Sequence, residues 1–176
     1  MLLLAFTPSI EGKLNGKHNQ SSGCTCHYNG GGVTPGHNFP ATYTPGQLYN
    51  IQINMQGGVA GAQGGFSLDV DKGAYSNNGP DVSFQATSAT HTNPTARSWN
   101  FDWTAPPAGS GSVAVELATL TADGTNTNSN DAWGTTTHII NELVSNQPPS
   151  ASNVQVFSSS TSSKTNVVED TSIGIS

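Results

Sequence analysis

The chain has 176 residues, a formal net charge of −6, only five lysines and arginines together, and 9% charged residues. A phosphate-binding surface needs clustered Lys and Arg, so nucleic acid and an anionic membrane surface are excluded as expected partners. Hydrophobic residues make up 34%, enough for one core of strands that bury alternate positions, and no apolar run reaches the roughly 18 residues of a membrane span.

The chain opens on MLLLAF, which reads as the end of a signal-peptide apolar region without its basic start. With low Lys and abundant Ser, Thr and Asn, this predicts export to the cell surface or the extracellular space. Residues 1–37 are Gly- and Asn-rich with little periodicity and are expected to form an irregular arm. Its stretch SSGCTCHYNGGG holds both cysteines of the chain, Cys24 and Cys26, followed at once by His27. Asn19-Gln20-Ser21, just before, is an N-glycosylation sequon.

Strict alternation begins after the arm. LYNIQINMQ places Tyr49, Ile51, Ile53 and Met55 on one face. GFSLDVD sets Phe66, Leu68 and Val70 against Ser67, Asp69 and Asp71, and DVSFQA gives Val82 and Phe84. SWNFDWTAP puts Trp99, Phe101 and Trp103 on one side, and GSVAVELATL contributes Val113, Val115 and Leu117. THIINELV is less regular, with Ile139, Asn141 and Leu143 opposite His138, Ile140 and Glu142. Period two with β-branched and aromatic residues is the strand signal. Between the runs lie TPGQ, GGVAGAQGG, KGAYSNNGPD, APPAGSG and ADGTNTNSND, all turn chemistry. Six or more punctuated strands predict an all-β chain: a single antiparallel β-sandwich over residues 38–147. Residues 148–176 read as a Ser/Thr-rich linker followed by a strand-like tail with Val167, Ile173 and Ile175.

Cys24, Cys26 and His27 admit three readings. A c-type haem needs two thiols for its vinyl groups and an adjacent imidazole for iron, normally as C-x-x-C-H. Here one residue separates the cysteines, which shortens their reach. The same three side chains suit zinc or copper with a further ligand. The third reading is a small disulfide ring, which export permits. His91, just before the Trp run, is a candidate partner ligand, with His18, His37 and His138 behind it. Met55 suits the buried face better than an axial position. In the loop ADGTNTNSNDAW, the oxygen side chains of Asp123, Asn126, Asn128, Asn130 and Asp131 suit calcium, though no EF-hand spacing is present. No nucleophile elbow, phosphate-cradling Gly loop or H-E-x-x-H motif occurs, so no enzyme is expected.

The order of these pieces resembles the choice-of-anchor V domain family, reelin-like β-sandwich modules of secreted microbial proteins. The resemblance runs from about Ser9 to Glu142. It is carried by the Gly-rich lead, the Cys/His motif, YTPGQLYNIQI, GGFSLDV, THTNPTARSWNFDWTAPPAGSGSVAVEL and NDAWGTTTHII. Members commonly carry C-x-x-C-H, which implies c-type haem attachment. On this chain the matching positions are Cys24 and Cys26 for the vinyl groups, His27 as proximal ligand and His91 as distal ligand. The implied protein is an exported, non-enzymatic electron-transfer module with haem c and a redox partner. Two alternatives stand beside it. One is a filament subunit that binds copies of itself by strand exchange, through the tail near Val167 to Ile175 or the segment Leu2 to Phe6. The other is a Cys/His copper or zinc binder.

Overall fold

Alternation in the sequence becomes alternation in burial. The structure is a computed structural model, and it describes residues 15–144 apart from 25, 28, 29 and 126. These residues fall in one compact unit that ends at Val144. The apolar strand proposed within residues 148–176, and the segment from Leu2 to Phe6, lie outside the described residues.

Ten strands form: β1 (Gly30–His37), β2 (Thr42–Tyr43), β3 (Leu48–Gly57), β4 (Gly64–Val70), β5 (Ala74–Ser76), β6 (Val82–Gln85), β7 (Ser88–His91), β8 (Ser98–Thr104), β9 (Val113–Thr121) and β10 (Ala132–Glu142). No described residue is helical. The strands make one hydrogen-bonded path, β5-β8-β3-β1-β10-β9-β4-β7-β6, with β2 beside the end of β10. The path doubles back on itself at β1. Residues 33–37 pair antiparallel with β3, while residues 30–32 lie parallel to β10 at Trp133, with a register shift at each step. A run of three glycines allows that irregular crossing, because Gly accepts backbone conformations closed to other residues.

The two arms of the path face each other across one core. Ile51, Ile53, Trp99, Phe101 and Trp103 come from one side, and Leu68, Val70, Val113, Val115, Leu117 and Ile140 from the other, none more than 3% exposed. Phe66 and Trp99 meet across the interface with ring centroids 4.8 Å apart. Burying each such side chain contributes roughly 1.5–3 kcal/mol. The Trp run is central: Trp103 packs against Phe39, Tyr43 and Tyr49, and its indole N–H donates to the carbonyl of Lys72 at 3.1 Å.

The all-β architecture is as expected, with differences in detail. Pairing is not wholly antiparallel, since β1 and β2 each run parallel to β10. Residues 30–37, read as part of the arm, form β1 in the middle of the path. β2, β5 and β7 also arise where the sequence shows only turns or short polar runs. Toward the end of β10 the inward side chain is Ile140, whereas Ile139, and Leu143 just past the strand, are about half exposed, at 52% and 50%.

Candidate functional site

The arm before β1 is held against the sheet by polar contacts. The backbone N–H of Asn19 donates to Ser88 Oγ at 2.9 Å, and that of Gln20 to Ser67 Oγ at 3.0 Å. Ser21 donates its N–H to Asp69 at 3.4 Å and its hydroxyl to Glu116 at 3.1 Å. His18 shares a 2.8 Å hydrogen bond with Ser83. The polar residues of β4, β6, β7 and β9 that alternation turns away from the core are therefore the dock for the arm. This is why Ser67 and Ser88 are buried although they point away from the core. The sequon residue Asn19 is exposed at the start of this dock, with φ 58°, while its Ser21 is only 5% exposed.

The docked arm delivers the Cys/His motif to one place. Gly23 lies on the indole of Trp133, and a Cβ there would stand 2.9 Å from two ring carbons. The next residues turn back, with the His27 N–H donating to the Cys24 carbonyl at 2.8 Å. Both cysteines are free thiols, Cys24 half-buried and Cys26 exposed. Burial, helped by the neighbouring Cys26, pushes the Cys24 thiol up to about 12, so it stays protonated in water near neutral pH. His27 Nδ1 is 2.6 Å from Oδ2 of Asp131, whose side chain is 2% exposed. Asn128 donates from its amide to the Cys26 carbonyl at 2.9 Å.

His91, at the end of β7, faces the same space. It is 8% exposed and packs on Phe66 and Trp99, with centroids 6.3 and 6.0 Å away. Its Nδ1 lies 3.1 Å from the N–H of Phe66 and 3.3 Å from the Phe66 carbonyl, so this nitrogen can accept or donate. Burial lowers the pKa of the ring, the Phe66 hydrogen bond opposes this, and repulsion between two protonated rings, His91 and nearby His27, lowers it further. The ring fits because residue 65 is glycine: a Cβ there would stand 2.8 Å from His91 Nε2 and closer still to the carbon between the two nitrogens.

Cys24, Cys26, His27 and His91 thus line one pocket of about 390 Å³, whose apolar wall includes Phe66, Pro94 and Leu120. Lys17, Thr125 and Thr127 stand at its exposed rim. The volume lies within the range of cofactor sites, roughly 300–1,000 Å³. Sequence reasoning names the four chemical side chains but misses Gly65 and Lys17. It also assigns Asp131 to another role. The doublet Gly64-Gly65 ahead of an apolar run is the one signal that could have suggested a close approach.

In the β9–β10 loop, the side chains read as calcium ligands have hydrogen-bond partners within the protein. Asp131 is spent on His27 and on the N–H of Asp123, which donates to Oδ1 at 3.2 Å. Asp123 accepts from the N–H and hydroxyl of Thr125 at 2.9 and 2.7 Å, which lowers its pKa, and Asn128 serves the Cys26 carbonyl. Asn126 lies outside the described residues. Among the described residues, no three His, Cys, Asp or Glu side chains gather to hold a metal ion. His37 and His138 do not line the pocket; their rings pair with each other, centroids 4.9 Å apart, and His138 lies 2.9 Å from the Pro40 carbonyl. Met55 packs against the core.

No family model matches the chain, and no curated protein does. Among solved structures, it is similar to a human F-spondin reeler domain (fragment 2). That match has 19% identity and a TM-score of 0.46, and covers 65% of this chain and 94% of that one. It is also similar to the Reelin-N domain of F-spondin, with 17% identity and a TM-score of 0.48, covering 74% of this chain and 94% of that one.

Proposed function

We propose that this chain is an exported, non-enzymatic module of the cell surface or extracellular space that carries a c-type haem for electron transfer. The observation that supports it is convergence. His27 on the arm and His91 on β7 are far apart in sequence, yet line one part-apolar pocket together with Cys24 and Cys26. The residue types that line the pocket, two thiols, two imidazoles and an apolar wall, are those such a group calls for. Haem asks the protein for two axial side chains, not a cluster of three, and for an apolar wall. Cys24 and Cys26 would form the thioethers, His27 would be the proximal ligand and His91 the distal one. A thioether is neutral, so the half-buried position of Cys24 suits it better than a thiolate. When bound, the haem supplies a one-electron couple, and two imidazoles on its iron favour electron transfer over oxygen chemistry. The single residue between the cysteines remains the departure from the usual spacing. The two thiols differ in exposure, so their shares of the attachment are separable.

The test is substitution of each thiol in a host that matures c-type cytochromes. Cys24→Ala and Cys26→Ala should each lower the fraction of chain bearing covalent haem by intact mass, and the double variant should bear none. Equal haem mass on the double variant and the native chain would rule out attachment at these thiols.

A further inference from the structure

Asp131 is a buried carboxylate whose only side-chain hydrogen-bond partner among the described residues is His27. Burying an unpaired carboxylate is costly, and the chain has fixed this one in place from several sides. The turn through Asn130, at φ 67°, points the next residue inward. Ala132 then locks into the ladder opposite Thr121. The N–H of Asp123 donates to Oδ1, which leaves Oδ2 for the imidazole. On the other side, Asn128 ties the loop to the Cys26 carbonyl. Arg97 is no competitor, since its guanidinium is spent on the carbonyls of Gln63, Val59 and Ala122.

We infer that Asp131 is a positioning residue: it holds the proton of His27 on Nδ1 and so presents Nε2 to the pocket as a lone pair for an electron-pair acceptor. An ionised carboxylate can only accept, so at 2.6 Å the proton belongs to Nδ1. A neutral imidazole has one N–H, which leaves Nε2 bare. The ring of His27 makes no other hydrogen bond among the described residues. A carboxylate behind a ligating imidazole also makes it a stronger donor, which favours the more oxidised metal. With iron as the acceptor, this part rests on the haem reading above.

The test has two arms. Nitrogen-15 NMR of the full chain made without haem, at pH 8, should show His27 as the single Nδ1–H tautomer. Asp131→Leu should lose that fixed tautomer. A native spectrum with the proton on Nε2, or a tautomer unchanged in the variant, overturns the inference. Should Asp131→Leu fail to fold, the native spectrum alone decides. In haem-loaded protein, Asp131→Asn keeps the shape and removes the charge. It should weaken the preference for ferric iron about tenfold, which for one electron raises the potential by about 59 mV. An unchanged potential would overturn the donor-strength part. If no haem attaches to the native chain, the haem reading fails, and the tautomer measurement still decides the role of Asp131.

Discussion

Gly65 sets where His91 sits. The imidazole rests on the bare backbone of β4, and any Cβ at residue 65 would meet its ring. The neighbours cannot give way easily, because Phe66 and Trp99 hold the ring from the core side. Gly65→Ala should therefore push His91 out of the pocket while leaving the thiols of the arm untouched. In haem-loaded protein the expected outcome is unchanged covalent mass with loss of the bis-imidazole spectrum. A spectrum identical to the native one would show that His91 is not the distal ligand. At this scale the sequence exposes only part of the site. Cys24, Cys26, His27 and His91 stand out by residue type. Asp131 shows as one oxygen side chain among several in a polar loop, and its partner, more than a hundred positions away, is visible only in the fold.

The arm is an element without secondary structure that still has a fixed place. It is fastened by polar residues of strands, each contact worth about 1 kcal/mol. Replacing Ser67 and Ser88 with Ala removes the acceptors for the N–H groups of Gln20 and Asn19. Amide exchange at these two residues should then rise roughly tenfold or more, while the core strands keep native protection. Unchanged exchange would mean that the dock does not hold the arm. Strands were legible where alternation was strict, as in β3, β4, β8 and β9. β1 was hidden because GGGVTPGH offers no alternation and contains a proline, which lacks an N–H for pairing. β7 was hidden because all four of its residues are buried, the small polar ones beneath the arm. In β10 the apolar residues Ile139 and Ile140 are adjacent, so either could have faced inward.

At the scale of the molecule, the fold is stapled where β1 passes between the two halves, and His37 ends that strand beside His138. Burial, with the neighbouring His138 charge, lowers the pKa of His37. A lowered value means the fold prefers the neutral ring. The stability this confers is present above the unfolded value near pH 6.5, and is lost as the pH falls from there toward the folded value. Urea midpoints should drop between pH 7 and pH 5, and His37→Leu should make that slope shallower, leaving the share of buried His91, whose pKa is lowered too. A native midpoint flat across the window would contradict it. The general plan, strands packed over one aromatic core, was readable from the Trp run and its neighbours. The convergence of arm, β7 and the β9–β10 loop on one pocket was not, because it depends on pairings between distant segments. That convergence is the basis for the haem proposal. Its most direct test is an absorbance spectrum with the intact mass of the native, exported protein. A Soret band and a mass increased by one haem are expected. A colourless protein with no added haem mass would contradict it.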